Sequence, residues 1–291
     1  MDPTNPILEV KDLTHVYSAG TPFEHTAIEH ISFSVGAGEL IGLIGHTGSG
    51  KSTLIQHLNG LLKPTSGKVL FHGEDIWKDK KFTQSIRGRV GLVFQYPEYQ
   101  LFEETCFKDI AFGPKNQGIT GDELTERVYR AAAFVGLDKD ILEKSPFDLS
   151  GGQKRRVAIA GVIAMEPEVL ILDEPTAGLD AAGRDGILQN ILDYRDAQKA
   201  TVIMVSHAME EVANLCQRLI VMREADVAMD GTPDQVFTRA RELTEMGLSV
   251  PQVTEIFLEL QRRGIPVPDS VYTLPQAISA LQKLKGGKTP C

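Results

Sequence analysis

The chain has 291 residues, enough for one or two domains, and 42% of them are hydrophobic and 24% charged. This balance is typical of a folded protein and excludes the low hydrophobicity and high charge of a disordered chain. With 39 acidic against 30 basic residues the net charge is −9, and no basic patch indicates a nucleic-acid surface.

Neither membrane insertion nor disulfide formation is predicted. The longest apolar runs, residues 169–172 and 202–205, are far shorter than the about 20 residues of a membrane-spanning helix. The first ten residues lack the basic and apolar pattern of a secretory signal, so we expect the protein to stay in the cytoplasm. The cysteines are widely spaced and are expected to remain reduced: Cys106, Cys216 and Cys291.

Strands dominate the first third of the chain. Alternating or continuous apolar residues predict five of them: residues 7–17, 31–35, 40–44, 68–71 and 90–94. A glycine-rich stretch, residues 45–50, ends the third strand, and a helix is predicted directly after it, over residues 52–62. This order of strand, glycine-rich loop and helix indicates an α/β fold.

The middle of the chain, about residues 95–164, has helical periodicity, with an amphipathic helix predicted over residues 122–135. We expect this block to be an inserted helical subdomain. Beyond it, a strand, a helix and a strand predict a crossover unit of a parallel sheet: residues 169–172, 184–195 and 201–205.

Prolines punctuate the chain after Gly231 and separate three short helical patterns: residues 234–244, 253–263 and 275–284. We therefore predict a domain over residues 1–230 and a small helical extension over residues 231–291. The last residues, 285–291, are expected to be frayed.

The residues after the third predicted strand match the phosphate-binding pattern GxxxxGK[ST] in full: Gly45, His46, Thr47, Gly48, Ser49, Gly50, Lys51 and Ser52. In this pattern backbone N–H groups point at phosphate oxygens, and the following helix adds the positive end of its dipole. Lys51 is the candidate for contact with the β- and γ-phosphates, and the Ser52 hydroxyl is the candidate for a Mg²⁺ ligand.

Two carboxylates, Asp173 and Glu174, follow the wholly apolar stretch 169–172. A strand buried on both faces holds its carboxyl end at the edge of the sheet where nucleotides bind. Asp173 is therefore a candidate Mg²⁺ ligand, and Glu174 is the candidate that orients or deprotonates the attacking water. Two acids alone are more often a solvated strand end, so this interpretation depends on Lys51.

The segment Leu149-Ser150-Gly151-Gly152-Gln153 resembles the signature of ATP-binding-cassette ATPases. Four more residues resemble elements of that family, in the family's order. Tyr17 resembles the adenine-stacking aromatic, Gln95 the glutamine after a strand, Asp180 the aspartate that ends the segment 177–180, and His207 the switch histidine. Some of these have a plain alternative: strand packing for Tyr17, a surface amide for Gln95 and a helix cap for His207. Residues 149–153 could likewise be an ordinary helix start with a serine N-cap.

The resemblance covers about residues 7–230 and implies a P-loop ATPase cassette with a mainly parallel sheet core, an antiparallel β subdomain and an inserted helical subdomain. It implies hydrolysis of ATP with Mg²⁺ in a head-to-tail dimer, where the phosphate loop of one subunit and the signature of the other enclose one ATP. The implied catalytic residues are Glu174, His207, Gln95 and Lys51, and the implied metal ligands are Ser52, Gln95 and Asp173. The implied ATP-binding set is Tyr17, Gly45, His46, Thr47, Gly48, Ser49, Gly50, Lys51, Ser52, Thr53, Gln95, Ser150, Gly151, Gly152, Gln153 and Asp180.

Three segments, residues 94–102, 155–161 and 165–167, narrow the resemblance to the ATPase subunits of energy-coupling-factor transporters, which import vitamins and transition-metal ions. Residues 20–25 and 154–156 resemble the second of the two paired ATPases. The resemblance implies three partners: a sister ATPase, a transmembrane coupling subunit and a substrate-binding membrane subunit. It also implies a peripheral location on the cytoplasmic face of the membrane and a dimerising role for the C-terminal extension. Ala181 stands where the family often has proline.

An apolar cluster lies beside Gln95, where this family receives helices of the coupling protein: Pro97, Tyr99, Leu101 and Phe102. These side chains either line such a groove or pack inward. Acidic neighbours would suit basic coupling helices: Glu98, Glu103 and Glu104.

Two other functions share the catalytic motifs. One is the ATPase of a conventional binding-protein-dependent importer, against which only residues 95–102 and the C-terminal extension argue. The other is a soluble cassette ATPase acting on ribosomes or DNA. The single cassette argues against that function.

Overall fold

The computed structural model describes residues 6–286, which divide into two compact units. The larger unit contains residues 6–39 and 52–205, and the smaller contains residues 40–51 and 206–286. The strands of the described chain are β1 (Leu8–Tyr17), β2 (His25–Val35), β3 (Leu40–Gly45), β4 (Ser66–Phe71), β5 (Glu74–Asp75), β6 (Val90–Val93), β7 (Val169–Asp173), β8 (Thr201–Val205), β9 (Arg218–Arg223) and β10 (Asp226–Gly231).

The α-helices of the described chain are α1 (Lys51–Leu58), α2 (Lys80–Arg89), α3 (Cys106–Asn116), α4 (Gly121–Phe134), α5 (Lys139–Leu142), α6 (Gly151–Ile163), α7 (Ala181–Gln198), α8 (Met209–Leu215), α9 (Pro233–Phe237), α10 (Ala240–Glu245), α11 (Gln252–Arg262) and α12 (Leu274–Gly286). Short 3-10 helices lie at Pro97–Gln100 and Pro146–Asp148. Across residues 6–286, none of these helices has the length and hydrophobicity of a membrane span.

An antiparallel sheet in the larger unit has the strand order β2-β1-β4-β5. Leu8 on β1 lies opposite Val35 on β2 and Phe71 on β4, and Leu8, Val10 and Leu13 are buried. The register shifts between Val10 and Leu13, where Asp12 has a left-handed backbone (φ +50°). The alternation that predicted β1 is therefore the alternation of buried and solvent-facing positions.

The parallel strands of the larger unit are β6, β7 and β8, with β7 in the centre. Every residue of β7 and β8 is buried, which is why these strands read as unbroken apolar runs. Helix α7 connects β7 to β8, as the strand, helix and strand pattern predicted. The two strands end together, because Asp173 pairs with Val205.

The segment between β6 and β7 is helical, as predicted. Helices α3, α4 and α6 pack on one another, and α4 buries Leu124, Val128, Ala131 and Ala132 along one face. Together with the parallel strands and the antiparallel sheet, these helices confirm the predicted α/β cassette architecture.

The smaller unit contains β3, which pairs in parallel with β9, and β10, which pairs antiparallel with β9. The helices α9 to α12 follow. A small core of its own holds α11 and α12 together, with Phe257 and Val271 buried against Ala277 and Ala280. The Thr254 hydroxyl adds a hydrogen bond of 2.8 Å to the carbonyl of Val271.

Several elements differ from the sequence prediction. Helix α2 and the hairpin β9–β10 were not predicted, and the helix predicted over residues 234–244 is two helices, α9 and α10. Helix α1 ends at Leu58, before the left-handed Gly60 (φ +70°). Residues 285 and 286 are helical where fraying was expected, whereas residues 287–291, and Cys291 with them, lie outside the described residues. The boundary predicted at residues 230 and 231 stays a prediction.

Candidate nucleotide site and adjacent groove

The phosphate-loop residues connect β3 to α1. Gly48 and Gly50 adopt left-handed conformations (φ +83° and +100°), which glycine tolerates without strain. A Cβ on Gly45 would lie 2.5 Å from Ser49 Oγ and 2.6 Å from the Met222 carbonyl oxygen. The backbone of this loop therefore favours glycine at positions 45, 48 and 50.

Lys51 is buried at the start of α1, and its ammonium curls back into the loop. Lys51 Nζ donates to the carbonyl oxygens of Gly45 and His46 at 2.6 and 2.9 Å. The Ser49 N–H also donates to the His46 carbonyl, at 3.1 Å. These bonds hold a positive charge within the curl of the backbone, which is the arrangement that attracts phosphate.

His207 lies in the same unit as Lys51, just before α8. The pKa of His207 is lowered, mainly by partial desolvation of its ring and also by the positive charge of Lys51. The imidazole is therefore neutral at pH 7, with one nitrogen that donates and one that accepts. The structure thus brings Lys51 and His207 into one electrostatic environment.

Asp173 and Glu174 occupy the end of β7 in the larger unit. Asp173 is buried, and Glu174 has a left-handed backbone (φ +51°) while its N–H donates to the Val205 carbonyl at 2.9 Å. A non-glycine residue in this conformation costs roughly 1–3 kcal/mol, and such strain is common at functional sites. The strained turn is held by the neighbouring strand β8 through this backbone hydrogen bond.

Arg155 braces the loop that follows Glu174, a role that the sequence interpretation missed. The buried guanidinium donates to the Pro175 and Ala177 carbonyls at 3.3 and 2.6 Å and pairs with both carboxylate oxygens of Glu98 at 3.1 and 3.0 Å. The side chains of Arg155 and Glu98 are only 4% and 16% exposed. Glu98 is thus committed to an internal ion pair and is not a free acidic group for a basic partner.

The signature residues begin α6 through a capping box. The Gln153 N–H donates to Ser150 Oγ at 3.4 Å, and the Ser150 N–H donates to Gln153 Oε1 at 3.1 Å. No heavy atom lies within 4 Å of a Cβ built on Gly151 or Gly152. The helix start is therefore both a capped N-terminus and an open surface of backbone donors.

The remaining candidates also lie in the larger unit. Asp180 caps α7, with its carboxylate accepting from the Gly183 N–H at 2.8 Å. Gln95 is exposed directly after β6. Tyr17 ends β1 with 39% of its surface exposed, and its hydroxyl lies 3.4 Å from Thr53 Oγ1 on α1.

The predicted site residues are thus divided between the two units. The smaller unit carries the phosphate loop, Lys51 and His207, and the larger carries the others: Tyr17, Ser52, Thr53, Gln95, Ser150, Gly151, Gly152, Gln153, Asp173, Glu174 and Asp180.

A groove of about 1270 Å³ lies within the larger unit, close to Gln95 in the sequence. Leu101 and Phe102 line it together with Phe112, and the rings of Phe102 and Phe112 meet edge to face, with centroids 5.0 Å apart. Of the predicted apolar cluster, Pro97 is buried instead, and Tyr99 is 85% exposed outside the lining. Basic side chains also line the groove: Lys81, Arg87, Arg89 and Arg127.

Comparison with known proteins supplies a family context. The profile of the ABC transporter family matches residues 28–177. An energy-coupling factor transporter ATP-binding protein EcfA2 of Caldanaerobacter subterraneus is 52% identical over 97% of this chain and 99% of its own length, and one of Clostridium tetani is 54% identical over 97% and 98%.

Solved structures agree with these relatives. The protein cbiO1 of Clostridium perfringens, part of the ABC transporter complex cbiONQ, superposes with a TM-score of 0.74 at 37% identity, covering 89% of this chain and 98% of its own. The ATP-binding cassette MJ0796, solved as a post-hydrolysis dimer bound to ADP and Pi, gives a TM-score of 0.70 at 26% identity, covering 78% of this chain and 98% of its own.

Proposed function

The chain belongs to the ABC transporter family and, within it, to the ATP-binding proteins of energy-coupling factor transporters, and from this membership we propose how its residues use ATP. It is an ATPase subunit that energises an energy-coupling factor transporter. The observation that carries this conclusion is 52% identity across 97% of the chain. The same relatives favour this function over the ATPase of a conventional importer and over a cassette ATPase unconnected with transport.

In the proposed mechanism the phosphate loop binds the triphosphate of ATP. Backbone N–H groups of residues 45–51 contact the phosphate oxygens, and Lys51 contacts the β- and γ-phosphates. The neutral imidazole of His207 donates a hydrogen bond to the γ-phosphate as charge develops there. The proximity of Lys51 and His207 within one unit supports this assignment.

Glu174 orients the attacking water and accepts its proton, and Gln95 helps to hold that water. The buried start and left-handed backbone of the Asp173-Glu174 turn support this role, because a catalytic carboxylate needs a fixed direction. Ser150 and Asp180 act on the nucleotide of the opposite subunit, as the family resemblance implies.

The donor set fits Mg²⁺, since Ser52 and Asp173 offer a hydroxyl and a carboxylate oxygen and Gln95 offers an amide oxygen, which are the hard ligands that this ion prefers. Ser52 is exposed at the start of α1, and Asp173 lies at the end of β7. When bound, Mg²⁺ would neutralise phosphate charge. Within residues 6–286 no cluster of three or more His, Cys, Asp or Glu side chains forms a separate metal centre.

The working assembly proposed here is a heterodimer with a sister ATPase on the cytoplasmic face of the membrane. The dimeric state of the cassette MJ0796 supports pairing of two cassettes, and the cbiONQ complex supports attachment to membrane subunits. The cargo class is a vitamin or another micronutrient, recognised by a separate membrane subunit.

The groove lined by Leu101, Phe102 and Phe112 is the proposed contact with a cytoplasmic helix of the coupling subunit. Its apolar lining suits the apolar face of a helix. The groove is also lined by the basic residues Lys81 and Arg87 and by the carboxylate of Asp109, while Arg89 pairs with Glu168. The remaining excess of positive charge fits acidic or polar groups on that helix better than the basic helix suggested by the acidic neighbours in the sequence.

The test is purification of the tagged full chain from its host membrane in mild detergent, with mass spectrometry of what co-purifies. A sister ATPase, a multi-span coupling protein and a small membrane protein are expected. Phe102→Ala, alone and with Tyr99→Ala, should reduce recovery of the membrane proteins while ATP affinity stays unchanged. Phe23→Ala is the matched control, since Phe23 is 83% exposed but does not line the groove.

Two results would contradict the proposal. Recovery of a conventional permease would make the chain an ordinary importer ATPase, and recovery of ribosomal or DNA-bound material would remove transport. Equal loss of ATP affinity and of membrane proteins in Phe102→Ala would show that Phe102 maintains the fold rather than the contact.

A further inference from the structure

Tyr17 is held at two points in the larger unit. The edge of its ring meets the ring of His15, with centroids 4.5 Å apart and planes at 80°. Its hydroxyl lies 3.4 Å from Thr53 Oγ1, on the first turn of α1. The position of Tyr17, the last residue of β1, therefore depends on His15 and on α1.

His57 connects these two supports. It is fully buried on α1, one turn after Thr53. Its Nδ1–H donates to the Thr53 carbonyl at 2.7 Å, which leaves Nε2 of the neutral ring as an acceptor. His15 Nδ1 lies 3.2 Å from that Nε2, and the two rings pack edge to face at 4.7 Å. The contacts thus form a closed circuit of four residues: Tyr17 contacts His15, His15 contacts His57, His57 contacts Thr53, and Thr53 contacts Tyr17.

The two histidines are uncharged in this circuit. The pKa of His57 is lowered mainly by burial of the ring and also by His15, while hydrogen bonds to the backbone of Thr53 and Lys63 oppose the shift. Burial likewise lowers the pKa of His15, and the Lys63 backbone opposes it. One N–H lies between the two neutral rings, and the His15–His57 hydrogen bond joins β1 to α1.

We propose that His15 and His57 are positioning residues for the nucleobase: their hydrogen bond fixes the ring of Tyr17 against α1, so that its exposed face is set for stacking on adenine. The inference rests on the role of Tyr17 as the adenine platform, which the family resemblance implies for the proposed ATPase. A platform fixed before binding loses less side-chain freedom when the base arrives. Within the larger unit, Thr53 and His57 are the residues of α1 that support this platform.

The proposal separates binding of the base from binding of the phosphates. Inorganic tripolyphosphate is the probe that lacks a base, so its affinity should be independent of Tyr17, His15 and His57. ATP contains both the base and the phosphates, so its affinity should fall when the ring of Tyr17 is no longer held in place.

The experiment measures the Kd of ATP and of inorganic tripolyphosphate for the full chain and its variants. His15→Leu should raise the Kd of ATP by about three- to tenfold, the range that one aromatic contact contributes, and leave the Kd of tripolyphosphate unchanged. His15→Asn should recover part of the ATP affinity, because its side-chain amide can donate from about the place of Nδ1. Tyr17→Ala should weaken ATP alone.

A second pair of variants covers the case in which His15→Leu does not fold. His57→Gln retains a polar atom toward His15 and should bind ATP almost as the wild type does. His57→Met fills a similar volume without that atom and should raise the Kd of ATP. Thermal melting in the absence of nucleotide confirms that each variant compared is folded.

The outcomes distinguish the inference from its premise. An unchanged ATP affinity in Tyr17→Ala would overturn the platform role of Tyr17, and the inference with it. Weaker ATP binding in Tyr17→Ala but not in His15→Leu or His57→Met would overturn only the positioning role. A parallel loss of tripolyphosphate affinity in the histidine variants would show distortion of α1, which also overturns it.

Discussion

Glu174, the proposed catalytic carboxylate, has a backbone conformation that non-glycine residues rarely adopt. Its left-handed φ of +51° and the bond from its N–H to Val205 hold the carboxylate at the end of a rigid strand. We expect Glu174→Gln to keep ATP affinity and to lower turnover by about 100-fold or more, the range of a lost general base. ATPase assays of the complex measure the turnover, and a nucleotide-binding titration measures the ATP affinity.

Lys51→Ala is the contrasting variant, because Lys51 is proposed to bind the phosphates and also holds the loop through the carbonyls of Gly45 and His46. It should weaken ATP binding as well as turnover, since the ammonium is the charge inside the phosphate loop. Near-normal turnover of Glu174→Gln in the assembled transporter would remove Glu174 from the catalytic role. Equal losses of affinity in the two variants would mean that Glu174 holds the nucleotide rather than the water.

His57 predicts how stability depends on pH. Its folded-state pKa lies below the ordinary 6.5 because burial disfavours the charged ring, so the unfolded chain binds more protons once the pH falls below about 6.5. The free energy of unfolding should therefore decrease as pH falls from 7 through the lowered pKa. One histidine contributes at most about 1.4 kcal/mol per pH unit.

Urea unfolding at several pH values between 7.5 and 5.5 measures this slope. His57→Gln should make the slope shallower, because glutamine does not titrate. The pKa values of His15 and His207 are also lowered, so these residues account for the remaining slope. An identical slope in wild type and His57→Gln would show that His57 titrates alike in the folded and unfolded chains.

At the scale of elements, the Glu98–Arg155 pair joins the 3-10 helix Pro97–Gln100 to α6 and to the loop after β7. Breaking a buried pair leaves an uncompensated charge, at a cost of about 3–5 kcal/mol. Glu98→Ala should therefore lower the melting temperature strongly and reduce turnover. Glu104→Ala is the matched control: Glu104 pairs with Lys108 on the surface, where such pairs contribute little.

Differential scanning calorimetry of the two variants gives the comparison. A similarly small decrease in melting temperature for Glu98→Ala and Glu104→Ala would show that the internal pair does not hold these elements together. A large decrease in melting temperature with unaltered turnover would show that the pair stabilises the fold but does not position the loop after Glu174.

The elements that carry strong local patterns could be predicted from the sequence. Strands β3, β7 and β8 are wholly buried, so unbroken apolar runs in the sequence predicted them, and the motifs at their ends followed directly. Helix α2 buries only Thr83 and Ile86 within a highly charged segment, so its periodicity was too weak to identify. The brace by Arg155 was missed because its partner Glu98 lies 57 residues away in the chain, and no local pattern encodes such a contact.

At the scale of the whole molecule, the C-terminal extension presents an apolar surface on α12. Leu274, Ile278 and Leu281 are 62%, 48% and 46% exposed, and their spacing places them on one face of the helix. The small core beneath α12 already uses Ala277 and Ala280. One face of this helix is therefore committed to its own unit and the other is exposed, which fits the dimerising role that the family resemblance implies.

Charge on that exposed face should disfavour pairing without disturbing the fold. We expect Ile278→Asp with Leu281→Asp to reduce recovery of the sister ATPase with the tagged chain by about tenfold, since burying a carboxylate in an apolar contact is costly. Gln282→Asp is the control, because it adds a charge at an exposed position of the same helix. Size-exclusion chromatography with mass measurement compares the two variants. Undiminished pairing of the double variant would show that α12 is not the dimerisation surface.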